Sequence, residues 1–213
     1  MDPAEELAAL LGPAGAASPQ ALRRASELQE ELKASSDPSA LVSAALSLVP
    51  PSRPLPARHA GYTLLQHASR ARLAELGPGQ RRELASVTLS LVRDVGRAAS
   101  AEPFAVKGKV TSVLADLVKR EGPGLYAGVL PEVLALAAEG PGPAECAAMF
   151  LRWVPEDLAL GAAEEEAGDG LRPMLGALTA SLGEVLPLLY RLLEGHYGAA
   201  ARCVGEGRAE EAR

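Results

Sequence analysis

Apolar residues recur at steps of three and four along the chain, and short Gly- and Pro-rich segments interrupt them. The clearest case is residues 104–136, where Glu121-Gly122-Pro123-Gly124 separates two apolar stripes. Gly favours a helix C-terminus and Pro cannot continue a helix, so this stretch predicts two antiparallel helices joined by a tight turn. The first stripe consists of Val106, Val110, Val113, Leu114, Leu117 and Val118, and the second of Leu125, Val129, Leu130, Val133 and Leu136.

The same pattern extends over most of the chain, and helix pairs recur at a spacing of roughly 40 residues, which is typical of HEAT repeats. One helix hairpin gains on the order of 10 kcal/mol from six buried aliphatic side chains, whereas ordering its residues costs about 1–2 kcal/mol each. Each hairpin therefore needs neighbouring pairs. Further helices are predicted at 3–11, 19–35, 38–49, 57–76, 80–98 and 144–154, from Pro155 to about Leu160, and at 171–194.

Signals for strands are absent, since no segment alternates Val, Ile, Thr and aromatic residues. The sequence predicts an all-α fold, a right-handed α-solenoid of HEAT-type antiparallel helix pairs with about four to five repeats. Gly161 to Gly170 is acidic and is expected to form a surface loop. Because no capping repeat follows Leu193, we interpret the sequence as an N-terminal fragment or a shortened form.

The charge and composition limit the range of possible functions. The formal net charge is −6 and the apolar fraction is 48%, which disfavours a stand-alone binder of phosphate backbones. Cys146 and Cys203 suggest no disulfide pairing and suit a reducing compartment. The acidic N-terminus does not resemble a signal peptide, and Leu182 to Leu193 is too short and too interrupted to predict a membrane span.

Catalytic motifs are not found in the sequence. His59, His67 and His196 do not form a metal-ligand spacing with either cysteine, and the glycines after Glu121 follow a helix rather than a strand. We therefore expect no catalytic residues, cofactor or metal, and Glu164-Glu165-Glu166 is interpreted as a solvated loop. A helical enzyme dependent on His67 is the least favoured alternative.

A family resemblance rests on three short segments. Lys119-Arg120-Glu121, Pro123 and Tyr126 resemble the exportin-1/importin-β-like segment of nuclear exportins, in particular those of the exportin-5/HASTY type, although Gly122 stands where that pattern has Trp. The residues that carry the remaining likeness are Gly61-Tyr62-Thr63-Leu64-Leu65-Gln66-His67, then Met149-Phe150-Leu151-Arg152 with Glu156-Asp157, and the ordered similarity runs from about Ala21 to Tyr190.

The resemblance implies the following organisation. Residues 1–18 form a flexible or short-helical N-terminus, 19–100 the importin-β N-terminal-like HEAT repeats, 101–195 the exportin-1/importin-β-like HEAT repeats, and 196–213 a disordered tail. The implied function is that of the N-terminal part of a nuclear export receptor that shuttles between nucleus and cytoplasm. The implied partners are Ran in its GTP form, microRNA precursors or other structured small RNAs as cargo, and nuclear pore proteins.

The resemblance also implies a Ran-facing surface of basic residues on successive inner helices. The alternative is that these are ordinary solvated side chains. Two other functions stay open: a helical scaffold or adaptor whose Ran surface has decayed, and another importin-β family receptor that carries protein cargo. The Ran-facing candidates are Arg58, His59, Arg70 and Arg72 on one helix and Lys107, Lys109, Lys119 and Arg120 on the equivalent helix of the next repeat.

Overall fold

The computed structural model describes residues 2–13, 15, 18–35, 37–98, 102–161 and 171–205. Within these ranges the regular elements are all helical, and no strand is present. The prediction of an all-α fold is confirmed. The helices are α1 (Pro3–Leu10), α2 (Pro19–Lys33), α3 (Pro38–Leu48), α4 (Leu55–His67), α5 (Pro78–Arg97), α6 (Phe104–Glu121), α7 (Pro123–Leu136), α8 (Pro141–Gly161) and α9 (Leu171–Gly205), with a π turn at Ala68–Arg72 and a 3₁₀ turn at Leu73–Glu75 after α4.

Several helices begin with a capping residue followed directly by proline. The Asp2 carboxylate accepts a hydrogen bond from the Ala4 amide at 3.0 Å, and that of Asp37 accepts one from the Ser39 amide at 2.8 Å. Proline at the first helical position loses nothing, because its missing N–H would have no partner there. Gly122 has a φ of 85° and makes the sharp turn from α6 to α7, which is why this position favours glycine.

The helices form two layers. Helices α2, α4, α6 and α8 stack side by side in one layer, and α1 with α3 and α7 with α9 stack in the other. The two layers meet within the pairs α3/α4, α5/α6 and α7/α8. Helix α6 lies at the centre, and the whole first apolar stripe predicted from the sequence is buried with no exposed surface. This alternation of stacked antiparallel pairs is the arrangement of a HEAT-like solenoid.

Ion pairs connect the helix pairs α3/α4, α5/α6 and α7/α8 to one another, and one further ion pair, Arg81–Glu121, lies within α5/α6. They join residues 38 to 46 positions apart, which agrees with the repeat length of roughly 40 residues expected for HEAT units. Such contacts act between nearest neighbours, as expected for a solenoid. The pairs are Arg58–Glu102, Arg70–Asp116, Arg81–Glu121, Arg93–Glu132, Arg97–Glu139 and Lys107–Glu145.

Two contacts between helices are close enough that they require glycine. A Cβ atom on Gly142 of α8 would lie 2.6 Å from the carbonyl oxygen of Gly96 in α5, so only glycine permits this approach. Likewise a Cβ atom on Gly61 of α4 would lie 2.9 Å from the carbonyl oxygen of Ala45 in α3. Small residues therefore set the distances between the helices, as the composition suggests.

Some predicted boundaries are wrong. Helix α8 runs unbroken through Pro155, where the sequence predicts a new helix, because Pro155 is exposed and water can hydrate the carbonyl that it leaves without a donor. The disordered tail expected from residue 196 is wrong for residues 196–205, which continue α9 through an Ala-rich stretch of high helix propensity. The acidic segment at 162–170 and the last residues, 206–213, lie outside the described residues.

Helix α9 buries only some of its large apolar residues. Met174, Val185 and Leu188 are buried, but Leu175 and Leu182 are exposed. Among the described helices, α9 alone is long and apolar enough to cross a membrane by length and composition. That test is weak evidence, because helices in the cores of soluble proteins also pass it.

A cationic groove as the candidate functional site

A second face of α6 carries polar residues. Lys109, Ser112, Asp116 and Lys119 follow at steps of three, four and three, so they lie on one side of the helix. This side faces α4 and its π turn, and the apolar stripe of α6 faces the core. The polar face of α6 forms the floor of a groove that crosses the layer of α4, α6 and α8.

Asp116 is the anionic centre of this groove, and its side chain is only 4% exposed. One carboxylate oxygen accepts a hydrogen bond from Arg70 Nε at 2.7 Å, and the other lies 2.9 Å from Lys119 Nζ. The amide of Gln66 donates a longer bond of 3.3 Å. Burial opposes ionisation of Asp116, but the hydrogen bonds from Arg70 and Lys119 outweigh it, so the pKa of this carboxyl lies below its ordinary value.

Arg70 reaches Asp116 from the π turn that follows α4. Single π turns inside helices are rare and occur often at functional sites. Arg70 lies on this turn, 46 residues before Asp116, and its side chain remains 50% exposed although it is bound to that carboxylate. Its guanidinium therefore lines the groove and is also exposed to solvent.

Lys109 differs from the other cations because it donates to a neutral acceptor, the Oε1 atom of Gln66, at 2.9 Å. Burial lowers the pKa of Lys109, and repulsion from Arg70 lowers it further, while the charge of Asp116 raises it by less. The pKa of His59 is also lowered, first by burial and then by the charge of Lys109. Burial is the larger cause of both shifts, and the positive charge of neighbouring cations adds to it.

The groove encloses a cavity of about 330 Å³, and Trp153 of α8 lines it together with His59, Gln66 and the α6 face. Among the described residues of the lining, Arg70, Lys109 and Lys119 contribute three positive charges and Asp116 one negative charge, a sum of +2. Guanidinium and ammonium groups donate hydrogen bonds and accept none. The groove is therefore suited to the carboxylates or other oxyanions of a partner.

Four of the eight Ran-facing candidates predicted from the sequence line this groove: His59, Arg70, Lys109 and Lys119. Arg120 is exposed at the end of α6 but is not part of the cavity lining. The other three candidates are committed to contacts within the fold. They are Arg58, Arg72 and Lys107.

Arg58 and Lys107 correct the sequence interpretation, because both lie inside the fold. The guanidinium of Arg58 makes two hydrogen bonds to Glu102, at 2.9 and 2.8 Å, and Lys107 Nζ donates to Glu145 at 2.6 Å. The two basic residues are 6% and 7% exposed. Helical spacing shows which helix carries a cation, but it does not show what the cation faces. Arg58 and Lys107 lie on the sides of their helices that pack against the next repeat.

Arg72 is likewise occupied, since its Nη1 atom donates to the backbone carbonyls of Lys33 and Ser35 at 3.2 and 2.8 Å and its guanidinium pairs with Glu75. It therefore fixes the end of α2 to the π turn.

The sequence interpretation missed four side chains of the groove. Asp116 and Ser112 had a detectable signal, the regular spacing with Lys109 and Lys119 on α6. Gln66 and Trp153 come from other helices, and only the stacking of α4, α6 and α8 brings them to the groove. In the parts of the chain that the structure describes, no three His, Cys, Asp or Glu side chains come together as a metal site would require.

Comparison with known proteins agrees with the resemblance seen in the sequence. Residues 103–206 match the family described as exportin 1-like protein. Over 139 residues the chain is 40% identical to Protein HASTY 1 of Arabidopsis thaliana, and the aligned part covers 65% of this chain and 11% of HASTY 1. The chain thus spans about a tenth of the length of the curated relative that it matches. The matched segment begins just before α6 and contains the whole polar face of that helix, so over this part the chain is similar to the exportin 1-like family, and it resembles HASTY 1.

Proposed function

We propose that this chain is the Ran-contacting N-terminal part of a nuclear export receptor, and that the cationic groove receives acidic side chains of Ran in its GTP form. The observation that carries the proposal is the cluster of His59, Arg70, Lys109 and Lys119 on one face of an exportin-like helical array. The contact is one of binding, with no catalytic step by the chain.

The charge distribution supports an acidic protein partner. The chain as a whole has a net charge of −6, so the groove is a local exception on an acidic molecule. Complementary charge at such a site mainly raises the association rate and selects the orientation of the partner. An acidic protein would approach the groove and be repelled elsewhere, which favours a single docking mode. Binding should weaken as salt rises, because exposed charges are screened.

The groove lies in the layer of α4, α6 and α8, which we expect to line the concave side of the solenoid. In the proposed mechanism Ran-GTP and cargo favour the same curvature of the helical array, so each strengthens the binding of the other. Hydrolysis of GTP in the cytoplasm then releases the cargo. The proposed cargo is a microRNA precursor or another structured small RNA, recognised by shape, phosphates and 2′-hydroxyl groups. The proposed receptor therefore shuttles between nucleus and cytoplasm.

The direct test compares binding of the full chain to Ran loaded with a non-hydrolysable GTP analogue and to Ran-GDP. We expect tighter binding to the GTP form. Lys109→Glu should weaken it by about tenfold or more, since it reverses the charge that the groove leaves least neutralised. Arg82→Glu is the matched control, because Arg82 is an exposed cation on α5 that does not line the groove.

Two outcomes would contradict the proposal. One is equal affinity for Ran-GTP and Ran-GDP, and the other is an equal loss of affinity in Lys109→Glu and Arg82→Glu. Circular dichroism and thermal unfolding of both variants establish that each keeps its fold.

A second candidate function is a helical scaffold or adaptor that does not bind Ran. The observation that favours it is Gly122, which has a φ of 85° at the position where the exportin pattern has Trp. A tryptophan is strained in this conformation, so the turn between α6 and α7 is built differently here. Under this alternative, Lys109→Glu leaves partner binding unchanged. A receptor for protein cargo would instead still bind Ran-GTP but would not bind RNA.

A further inference from the structure

The four lysines of this chain differ in what accepts the hydrogen bonds of their amines, and all four lie in the described ranges. Three of them contact a carboxylate. The fourth, Lys109, donates instead to the neutral Oε1 atom of Gln66 at 2.9 Å, which sets it apart from the others. The three carboxylate contacts are Lys33 with Glu30 at 2.7 Å, Lys107 with Glu145 at 2.6 Å and Lys119 with Asp116 at 2.9 Å.

This difference bears on the reactivity of the amines. An ammonium group must lose a proton before its nitrogen can attack an electrophile. A neighbouring carboxylate favours the charged form, whereas burial and a neighbouring cation favour the neutral one. Burial and then repulsion from Arg70 lower the pKa of Lys109, and the charge of Asp116 raises it by less. A desolvated lysine beside another cation is a recognised form of activated nucleophile.

The cavity beside Lys109 has room for a group added to its nitrogen. Its volume is about 330 Å³, and Arg70 in its lining is 50% exposed, so a small reagent can enter from solvent. Helix α8 contributes the aromatic ring of Trp153 to the described lining. The charged and titratable residues that share the described lining with Lys109 are His59 and Arg70 from α4 and its π turn, and Asp116 and Lys119 from α6 itself.

Acylation also disturbs the fold least at Lys109. An acylated lysine keeps one amide N–H group, which can still donate to Gln66 Oε1. Acylation of Lys119 would instead take a cation away from Asp116, whose side chain is only 4% exposed. A buried carboxylate that loses a cation is strongly unfavourable. The product is therefore compatible with the groove at Lys109 and unfavourable at its neighbour on the same helix face.

We propose that Lys109 is an acylation site, modified by a small acyl thioester such as acetyl-coenzyme A. The nitrogen–carbon bond forms as the carbon–sulfur bond breaks. The thiolate leaves with the bonding electrons and takes up, through solvent, the proton that the nitrogen loses. The amide is neutral, so the charge sum of the described lining falls from +2 to +1. The regulatory consequence, weaker binding of Ran-GTP, rests on the function proposed above, whereas the site itself does not.

The first test incubates the full chain with acetyl-coenzyme A at about pH 8 and measures acetylation of each lysine by peptide mass spectrometry. We expect Lys109 to react at least about threefold faster than Lys119. Lys119 is the matched internal control, because it lines the same cavity but contacts a carboxylate. Lys33 controls for exposure, since its side chain is 24% exposed and contacts Glu30 near the surface.

The second test exchanges the acceptors. Gln66→Glu gives Lys109 a carboxylate partner and should slow its acetylation at least about threefold, with Lys33 unchanged. Asp116→Asn gives Lys119 a neutral partner and should speed its acetylation relative to Lys33. Circular dichroism establishes that both variants fold, and either variant alone decides whether the acceptor controls the reaction.

The third test concerns regulation and compares Ran-GTP affinity before and after treatment with acetyl-coenzyme A. Treatment should weaken binding by the unmodified chain. It should leave Lys109→Arg unaffected, because arginine keeps the charge and cannot form acetyl-lysine. If neither chain binds Ran-GTP before treatment, the proposed function fails, and the mass spectrometry still decides the site.

Three results would overturn the acylation site. They are acetylation of Lys109 no faster than that of Lys119, a fastest reaction at Lys33, which indicates control by exposure alone, and an unchanged rate at Lys109 in Gln66→Glu. Undiminished Ran-GTP binding by the acetylated chain would overturn the regulatory consequence.

Discussion

The ion pairs between repeats and the cationic groove use the same residue types for different purposes, and the contrast is sharpest on α4. Arg58 and His59 are adjacent in sequence, but Arg58 is buried against Glu102 and His59 is exposed at the groove. The ion pairs match each cation with a carboxylate. In the groove Asp116 contacts Arg70 and Lys119, whereas Lys109 donates to the neutral amide of Gln66. Carboxylates pair with the cations that join the repeats, and Lys109 has a neutral acceptor instead.

The two regions should also differ in what they contribute to stability. A buried ion pair resists the loss of either member, since the remaining charge has no solvent to receive it. In the groove, burial and then repulsion from Arg70 lower the pKa of Lys109, so the fold disfavours its charged form. Functional sites commonly keep such unfavourable arrangements at the expense of stability. Mutations in the two regions therefore separate folding from binding.

The largest effect is expected at Arg58. Arg58→Met leaves Glu102 with an uncompensated charge in a site where its side chain is 8% exposed. We expect the free energy of unfolding to fall by about 3–5 kcal/mol. Urea denaturation followed by circular dichroism measures the change.

The double variant Arg58→Met/Glu102→Leu is the control for this prediction. Replacing both members by apolar side chains should recover stability to within about 1 kcal/mol of the unmodified chain. A double variant as unstable as Arg58→Met would mean that Arg58 acts through packing or through its 3.3 Å hydrogen bond to the Val49 carbonyl rather than through charge.

Asp116→Asn should have the next largest effect. Among the described residues that line the groove, Asp116 carries the one carboxylate, and its loss removes the acceptor that Arg70 and Lys119 contact. We expect a loss of about 1–3 kcal/mol at pH 7, since a charged hydrogen-bond acceptor is replaced by a neutral one. Thermal unfolding at fixed ionic strength measures it. Ser112→Ala, on the same face, should change stability by less.

The pH dependence sharpens this prediction. The pKa of Asp116 is lowered in the folded state, so its stabilisation is present above the ordinary value of 3.8 and is lost as pH falls below it. Asp116→Asn should therefore flatten the acid limb of the stability curve below about pH 4. An unchanged acid limb would show that other carboxylates dominate it.

Most of the fold could be predicted from the sequence, because it depends on local patterns. The spacing from Val106 to Val118 identifies α6 and its buried side, and Gly122-Pro123 marks the turn. The ends were less predictable: α9 continues past residue 196, where Ala-rich helix propensity outweighs scattered glycines.

Only part of the groove could be predicted from the sequence, because the sequence does not show which side chains neighbour each cation. Periodicity places Lys107 and Lys109 on one helix, but it cannot show that Glu145 lies beside the first and only the neutral Gln66 beside the second. Those neighbours come from helices about 40 residues away in either direction, and their identity depends on how the repeats stack. The sequence thus indicates where cations lie, and the stacking decides which of them are neutralised.

The smallest effect on stability is expected at Lys109, and it is the most informative. The folded state lowers the pKa of Lys109, so the unfolded chain binds more protons just below pH 10.5, and the stability of the unmodified chain rises with pH in that window. At pH 7 the charged Lys109 therefore weakens the fold. Lys109→Met removes that charge along with the hydrogen bond to Gln66, so we expect a change between zero and a gain of about 0.5 kcal/mol.

The same variant should bind Ran-GTP less well, and this combination distinguishes a binding residue from a structural one. Unfolding measured at pH 7 and again near pH 10.5 should show the difference between Lys109→Met and the unmodified chain shrinking as Lys109 loses its proton. Arg120→Ala provides the baseline, because Arg120 is an exposed cation of α6 that is not part of the cavity lining. A loss of more than about 1 kcal/mol in Lys109→Met would place Lys109 with Arg58 among the residues that hold the repeats together.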